Sequence, residues 1–285
     1  METVKLLLTS DVHQYIPKWD TLVEEAIAWQ PAYVLIAGDH LPKEGFESQR
    51  SFFPKLKQHL QKIKDQTPAE VITYFGNDDA HVLEPLLDQL ANEGLCHNLN
   101  QKVWRSKHFT FCGMPMVRDY PFGYKHWCAP DGAYVKCPVQ FSGEGVEINE
   151  HGQYVRIPDL QAYLTAKDSL FTSMEELRKQ AEKLGPLNES IWMVHGPPAY
   201  LGMDICGNGE RVGSPTITQF IKDHQPLVGI SGHIHESPYQ PGGQWHAQVG
   251  DTHWFQPGQI QSQLHSVKLV LKNDKVANYK HSCLD

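Results

Sequence analysis

Short apolar runs alternate with longer amphipathic stretches through most of this chain. Residues 4–9, 33–37, 71–75, 191–194 and 227–231 are rich in Val, Leu, Ile and aromatics and stop at small, charged or imidazole residues. Their length and content predict strands buried on both faces. Past Pro17, the residues Trp19, Leu22, Val23, Ala26 and Ile27 recur at helical spacing. From about 49 to 65, Phe52, Phe53, Leu56, Leu60 and Ile63 do the same, with Pro54 tolerable only near that helix's first turn. The chain therefore opens β-α-β-α-β, which predicts parallel strands ending on one edge.

A further helix is expected over 81–92, stopped by Gly94, and a hairpin over 102–113. Ser173 with Glu176 fits a capping box for a helix closing at Gly185. Ser214 and Pro215 fit a helix start, Ser as N-cap and Pro in the first turn. Residues 244–280 read as short strands and turns. From about 114 to 167 the rhythm gives way to Pro, Gly, aromatics and scattered charge. This marks a long insertion within one domain spanning 1–285, of a length that suits a cover over a binding site.

Composition narrows the function. The 285 residues are 40% hydrophobic, enough for a large core. Lys and Arg total 25 against 33 Asp and Glu, a net charge of −8 with His neutral. That balance disfavours long nucleic acid and anionic membrane as partners and points to a small molecule. No window is long and apolar enough to span a bilayer, and no signal peptide is visible. The six Cys form no Cys-x-x-Cys pair and read as reduced thiols of a cytoplasmic protein. Sixteen His is a high count, and their spacing decides its meaning.

The predicted strands end alike. They run into Asp11-Val12-His13, Gly38-Asp39, Gly76-Asn77-Asp78-Asp79, His195-Gly196-Pro197-Pro198 and Gly232-His233-Ile234-His235. Singly, each is an ordinary turn or helix cap. Together they bring Asp11, His13, Asp39, Asn77, His195, His233 and His235, all oxygen or imidazole donors, to the C-terminal strand edge where open α/β sheets gather ligands.

In this order the blocks resemble those of the calcineurin-like metallophosphoesterase superfamily: Asp-x-His, Gly-Asp, Gly-Asn-His-Asp/Glu, His and Gly-His-x-His. His195 to Pro198, Gly213-Ser214 and Gly232 to Glu236 resemble its Icc-like phosphoesterase branch, and Gly250-Asp251-Thr252 with Pro257-Gly258 is similar to the family's closing strands. The resemblance implies an α/β fold of four layers, α/β/β/α, with two packed mixed β-sheets flanked by helices. It implies two divalent metal ions, with Asp11, His13 and His235 on one, Asn77, His195 and His233 on the other, and Asp39 bridging. The nitrogen-rich donor set suits Mn, Fe or Zn. The implied reaction is hydrolysis of a phosphoester by a metal-bridging hydroxide, with a small-molecule phosphodiester or pyrophosphate expected. A phosphomonoesterase shares every metal residue and is one alternative; a metal-binding or interaction protein with little turnover is the other.

The second alternative stems from one departure. Where the family block has Gly-Asn-His, this chain has Gly76-Asn77-Asp78, so the imidazole that meets the phosphate is absent. Asp78 replaces it as a general acid only if its pKa is raised well above about 3.9; otherwise it caps the following helix. His40 and His81 lie close enough in sequence to supply a proton instead. Arg211 and Ser214 offer a second phosphate site at a helix N-terminus, with Arg211 as a solvated charge the plainer account. Tyr120, Phe122, Tyr124, Trp127 and Tyr134 either stack on a planar substrate group or pack the insertion itself.

Overall fold

A computed structural model of the chain describes residues 3–118, 123–132 and 145–284. The N-terminal half runs β1 (Thr3–Thr9), α1 (Ile16–Trp29), β2 (Tyr33–Ile36), α2 (Phe46–Gln66), β3 (Glu70–Thr73), α3 (Glu84–Asn92) and β4 (His97–Asn98). A hairpin of β5 (Val103–Arg105) and β6 (Thr110–Met114) follows, as expected. The stretch expected as an insertion, 114–167, contributes β7 (Val117–Arg118), β8 (Cys128–Ala129), β9 (Gly145–Ile148), β10 (Tyr154–Ile157) and α4 (Leu160–Thr165). The chain then continues through α5 (Leu170–Glu182), β11 (Ser190–Val194), α6 (Pro215–His224) and β12 (Val228–Ile230). It closes with β13 (His246–Val249), β14 (Thr252–Phe255), β15 (Val267–Lys272) and β16 (Val276–His281).

Two six-stranded mixed sheets result, in the orders β16-β15-β1-β2-β3-β4 and β13-β14-β12-β11-β6-β5. Strands β1 to β4 are parallel, as are β14, β12, β11 and β6. Side-chain alternation explains the layers. Along β1 and β2, Leu6, Leu8, Tyr33 and Leu35 enter one core while Leu7, Val34 and Ile36 enter another. The first core lies between the sheets, where Phe111, Ile191, Met193 and Phe255 meet it from the second sheet. The second lies beneath α1, α2 and α3, with Trp19, Leu22, Phe52, Leu60 and Leu87. On the far side, Cys112, Met114, Trp192 and Trp254 pack against Met174, Leu177, Ile217 and Phe220 of α5 and α6. Strands buried on both faces must read as continuous apolar runs, and the four layers follow.

Three local expectations are corrected. Pro54 lies well inside α2, not in its first turn. It is exposed, so the carbonyl its ring leaves without a partner is on the solvent side, and burial of the opposite face outweighs the roughly 3 kcal/mol such a Pro costs. The segment from His81 begins as a 3₁₀ turn, His81–Leu83, and becomes α-helical only at Glu84, with Pro85 in the first turn where a missing N–H does no harm. Helix α5 starts a turn before Ser173; Ser169 is its N-cap, accepting from Thr172 N, and Ser173 is buried inside it.

The insertion has a small core of its own, Val117, Cys128, Ile157, Leu160 and Leu164. Trp127 is buried in the core beneath α1–α3 and donates Nε1–H to Asp79 O at 2.9 Å. The Tyr124 hydroxyl lies 3.3 Å from His81 N. These two aromatics therefore pack the insertion, while Tyr120, Phe122 and Tyr134 lie outside the described residues. Among the described residues no helix is long and apolar enough to cross a membrane.

Candidate metal centre

The predicted donors converge where β1, β2, β3, β11 and β12 end. Three of these loops turn sharply: Asp11 and His13 after β1, Asp39 after β2 and His233 after β12 adopt left-handed backbone, with φ of 53°, 49°, 52° and 70°. For a residue bearing a Cβ this costs about 1 kcal/mol or more each, strain that the sequence did not reveal. Two glycines make room for it. A Cβ on Gly38 would lie 2.6 Å from His195 Nδ1 and 2.9 Å from Gly76 Cα, and one on Gly76 would lie 2.2 Å from Asp39 Oδ1. The loops are bonded to one another through Asp11 N to Gly38 O, His13 N to Asp39 O and Gly232 N to His195 O, and across the sheets through His233 N to Asp11 Oδ1 at 2.9 Å.

Two triads of donor atoms form, His13, Asp39 and His235 in one and Asp11, Asp39 and His195 in the other, with all atoms of each within 4.8 Å of one another. Asp39 belongs to both. Asp11 Oδ1 is 3.4 Å from His235 Nε2 and 4.0 Å from His195 Nε2, so it borders both as well. Asn77 Oδ1 lies 2.9 Å from His195 Nε2 and 2.5 Å from His233 Nδ1. All seven expected donors are thus drawn together.

The chemistry of this cluster fits divalent cations. His195 Nδ1 is 2.8 Å from Ala37 O and His13 Nδ1 is 3.0 Å from Leu41 O. A carbonyl can only accept, so each ring donates from Nδ1 and turns its Nε2 inward, a common outer arrangement of metal-binding imidazoles. His13 Nε2 and Asp11 Oδ2 are buried with no hydrogen-bond partner, an expensive condition unless a cation meets them. Burial alone pushes the His195 imidazole down, but Asp39 and Asp11 outweigh it and raise it to about 9. Burial also opposes the Asp11 charge, yet His235 and His195 hold its carboxyl below the usual range. Burial pushes the His13 and His233 imidazoles down, to about 4 and about 3, so these rings are neutral, as metal-binding imidazoles are.

A family model described as calcineurin-like phosphoesterase matches residues 4–237. The chain belongs to this family. No curated protein sequence is significantly similar to it. Among solved structures, TT1561 of Thermus thermophilus aligns over 98% of this chain and 99% of its own at 16% identity, with a TM-score of 0.58. A dimetal phosphatase from Danio rerio aligns over 98% of each chain at 9% identity, with a TM-score of 0.51. At these identities the likeness is one of fold.

Other expected residues take different places. Burial raises the Asp78 carboxyl, but Lys43 and His13 outweigh burial and hold it below the usual value. Its Oδ2 is 3.3 Å from Lys43 Nζ. His40 is buried against Phe75 with neither ring nitrogen hydrogen-bonded and its Nε2 4.0 Å from Asp79 Oδ2, and burial pushes it down to about 4. His81 stacks on His126 of the insertion. Ser214 is buried as the N-cap of α6 and donates to Asp131 Oδ1, while Thr216 N and Oγ1 reach Asp131 Oδ2 at 3.2 and 2.9 Å. That helix N-terminus, the expected second phosphate site, is engaged by a carboxylate of the chain itself. Arg211 is half exposed and faces Asp204 at 3.5 Å.

Three side chains beyond the sequence reading brace the centre. The Asp79 carboxylate accepts from Gly76 N, Leu41 N and His40 N, tying the loops that bear Asp39 and Asn77. Gln49 Nε2 donates to Pro42 O and Asp78 O, and its Oε1 accepts from Ala80 N. Lys43 is the third. Asp79 carried a signal, since a carboxylate one residue past a donor block often braces it; Lys43 and Gln49 carried none.

Proposed function

We propose that this protein is a dinuclear metal-dependent phosphoester hydrolase acting on a small-molecule phosphodiester or pyrophosphate. The observation that carries the reading is the membership of Asp39 in both donor triads, since one carboxylate shared by two sites is what holds two like charges close together. Asp11, His13 and His235 would hold one cation, and Asn77, His195 and His233 the other. When bound, two such cations lower the pKa of water and neutralise charge on the phosphoryl oxygens. The chain's own residues do the rest. Ala37 and Leu41 carbonyls fix the tautomers of His195 and His13. The neutral Asn77 amide adds an oxygen donor without adding negative charge, so the loaded site stays attractive to an anion on an acidic protein. Diester preference rests on the likeness of the His195–Pro198 and Gly232–Glu236 blocks to the Icc-like branch.

The test is metal content by atomic spectroscopy together with parallel hydrolysis of bis-p-nitrophenyl phosphate and p-nitrophenyl phosphate. Two equivalents of metal and faster diester turnover are expected. Preferential turnover of the monoester would overturn the diester assignment, and metal uptake without either activity would overturn the hydrolase.

A further inference from the structure

We propose that Lys43 is the cation that meets the substrate phosphate in this chain, and that Asp78 is the positioning residue that holds both Lys43 and the Asn77 amide. The inference deepens the hydrolase reading and rests on it. The two Asp78 oxygens are divided between two tasks. Its Oδ1 accepts from Asn77 Nδ2 at 2.8 Å, and its Oδ2 faces Lys43 Nζ at 3.3 Å.

The first contact fixes the flip of an amide. With Nδ2 tied to Asp78, Asn77 Oδ1 is turned toward His195 and His233. The opposite flip would direct an N–H at those imidazoles, and an N–H cannot ligate a cation. Asp78 thus acts as outer-shell carboxylates do at metal sites, by orienting the donor beside it.

The second contact supplies charge. A bare carboxylate at this position would repel an approaching phosphoester; paired with Lys43 it is neutralised. The Lys43 side chain is 52% exposed and that of Asp78 24%, so the ammonium sits on the more open side of the pair. Its three donors are not exhausted by one carboxylate oxygen. The loop that carries it is also set in advance. Leu41 N donates to Asp79 Oδ1, Leu41 O accepts from His13 Nδ1, and Gln49 Nε2 clamps Pro42 O to Asp78 O. The neighbouring Glu44 is engaged by Gln14 Nε2 at 2.7 Å.

Metal-reconstituted Lys43→Ala, Lys43→Arg and Asp78→Ala are compared with the parent. The readouts are metal content, inorganic phosphate binding by calorimetry, and KM and kcat on bis-p-nitrophenyl phosphate. Lys43→Ala should keep the parent's metal content, bind phosphate about 10- to 100-fold more weakly and raise KM in step, as loss of a charged hydrogen bond does. Lys43→Arg should recover most of this. Asp78→Ala should lose phosphate affinity and about 10- to 100-fold in metal affinity, because Asn77 is freed. Equal phosphate affinity and KM in Lys43→Ala would overturn the assignment and leave the hydrolase standing. A parent that binds neither metal nor phosphate would remove both.

Discussion

Two places among the described residues, the N-terminus of α6 and the strand-end cluster, differ in how much of their anion- or cation-binding chemistry is already used. At the N-terminus of α6, Ser214 and Thr216 are both bonded to Asp131, a buried carboxylate, and Ser214 Oγ also accepts from Ile217 N. Every donor there has a partner from the chain. At the strand ends, His13 Nε2 and Asp11 Oδ2 are buried without one, and four donor residues hold strained backbone. Satisfied polar groups build stability; unsatisfied, strained ones are kept where a ligand completes them.

Removal of Asp39 separates the two most sharply. Asp39→Ala takes a donor from both triads, and its loss of activity should exceed the roughly 100-fold typical when an outer-shell partner is lost. The parent should also lose thermal stability when a chelator strips its metal, because a ligand that binds only the folded state stabilises it; Asp39→Ala should melt at the same temperature with and without chelator. A chelator-dependent melt in Asp39→Ala would contradict the shared-ligand assignment. The next effect belongs to Gly76→Ala. The new methyl would press on Asp39 Oδ1 and on His195 Cε1 at 2.6 Å, so about 1–3 kcal/mol of stability and most of the metal affinity should go together. Wild-type metal uptake by Gly76→Ala would show that the cradle is looser than its geometry.

This contrast also accounts for what could be read from the sequence. The buried parallel strands were legible because segments such as 33–37 are apolar throughout, and the seven donors because each ends such a strand; the four layers came from the family resemblance, since apolar runs alone do not say how many sheets they form. The occupant of the α6 N-terminus was not: Asp131 lies 83 residues before Ser214 in a segment without periodicity, and nothing local says that a distant carboxylate fills a helix end. Lys43 was missed for the same reason, since its role depends on the place of Asp78 across the loop. Pro54 misled because propensity was weighed without knowing which face of α2 would be exposed.

Asp131→Ala tests the satisfied site. It leaves the Ser214 and Thr216 hydroxyls and the Thr216 N–H without their carboxylate, and a charged acceptor of this kind contributes about 1.5–3 kcal/mol. The melting temperature should fall while metal content and KM stay near the parent's. A large rise in KM with stability intact would return the α6 N-terminus to the substrate site.

Arg211→Ala should have the smallest effect and is the finest probe of the same contrast. Arg211 is half exposed and its contact with Asp204 is long, at 3.5 Å; pairs of this kind contribute at most about 1 kcal/mol. Burial raises the Asp204 carboxyl above its ordinary value, with Gly213 N and Arg211 pulling it back. Above that raised value Asp204 is ionised in the folded protein and the pair is present. As pH falls through it, Asp204 becomes neutral and the pair is lost. The difference in melting temperature between parent and Arg211→Ala should therefore be small near neutrality and vanish in acid. KM should not move, because the guanidinium is already turned toward a carboxylate of its own chain. A tenfold rise in KM with kcat unchanged would mean that Arg211 leaves Asp204 for the substrate, and the line drawn between the two sites would have to pass on its other side.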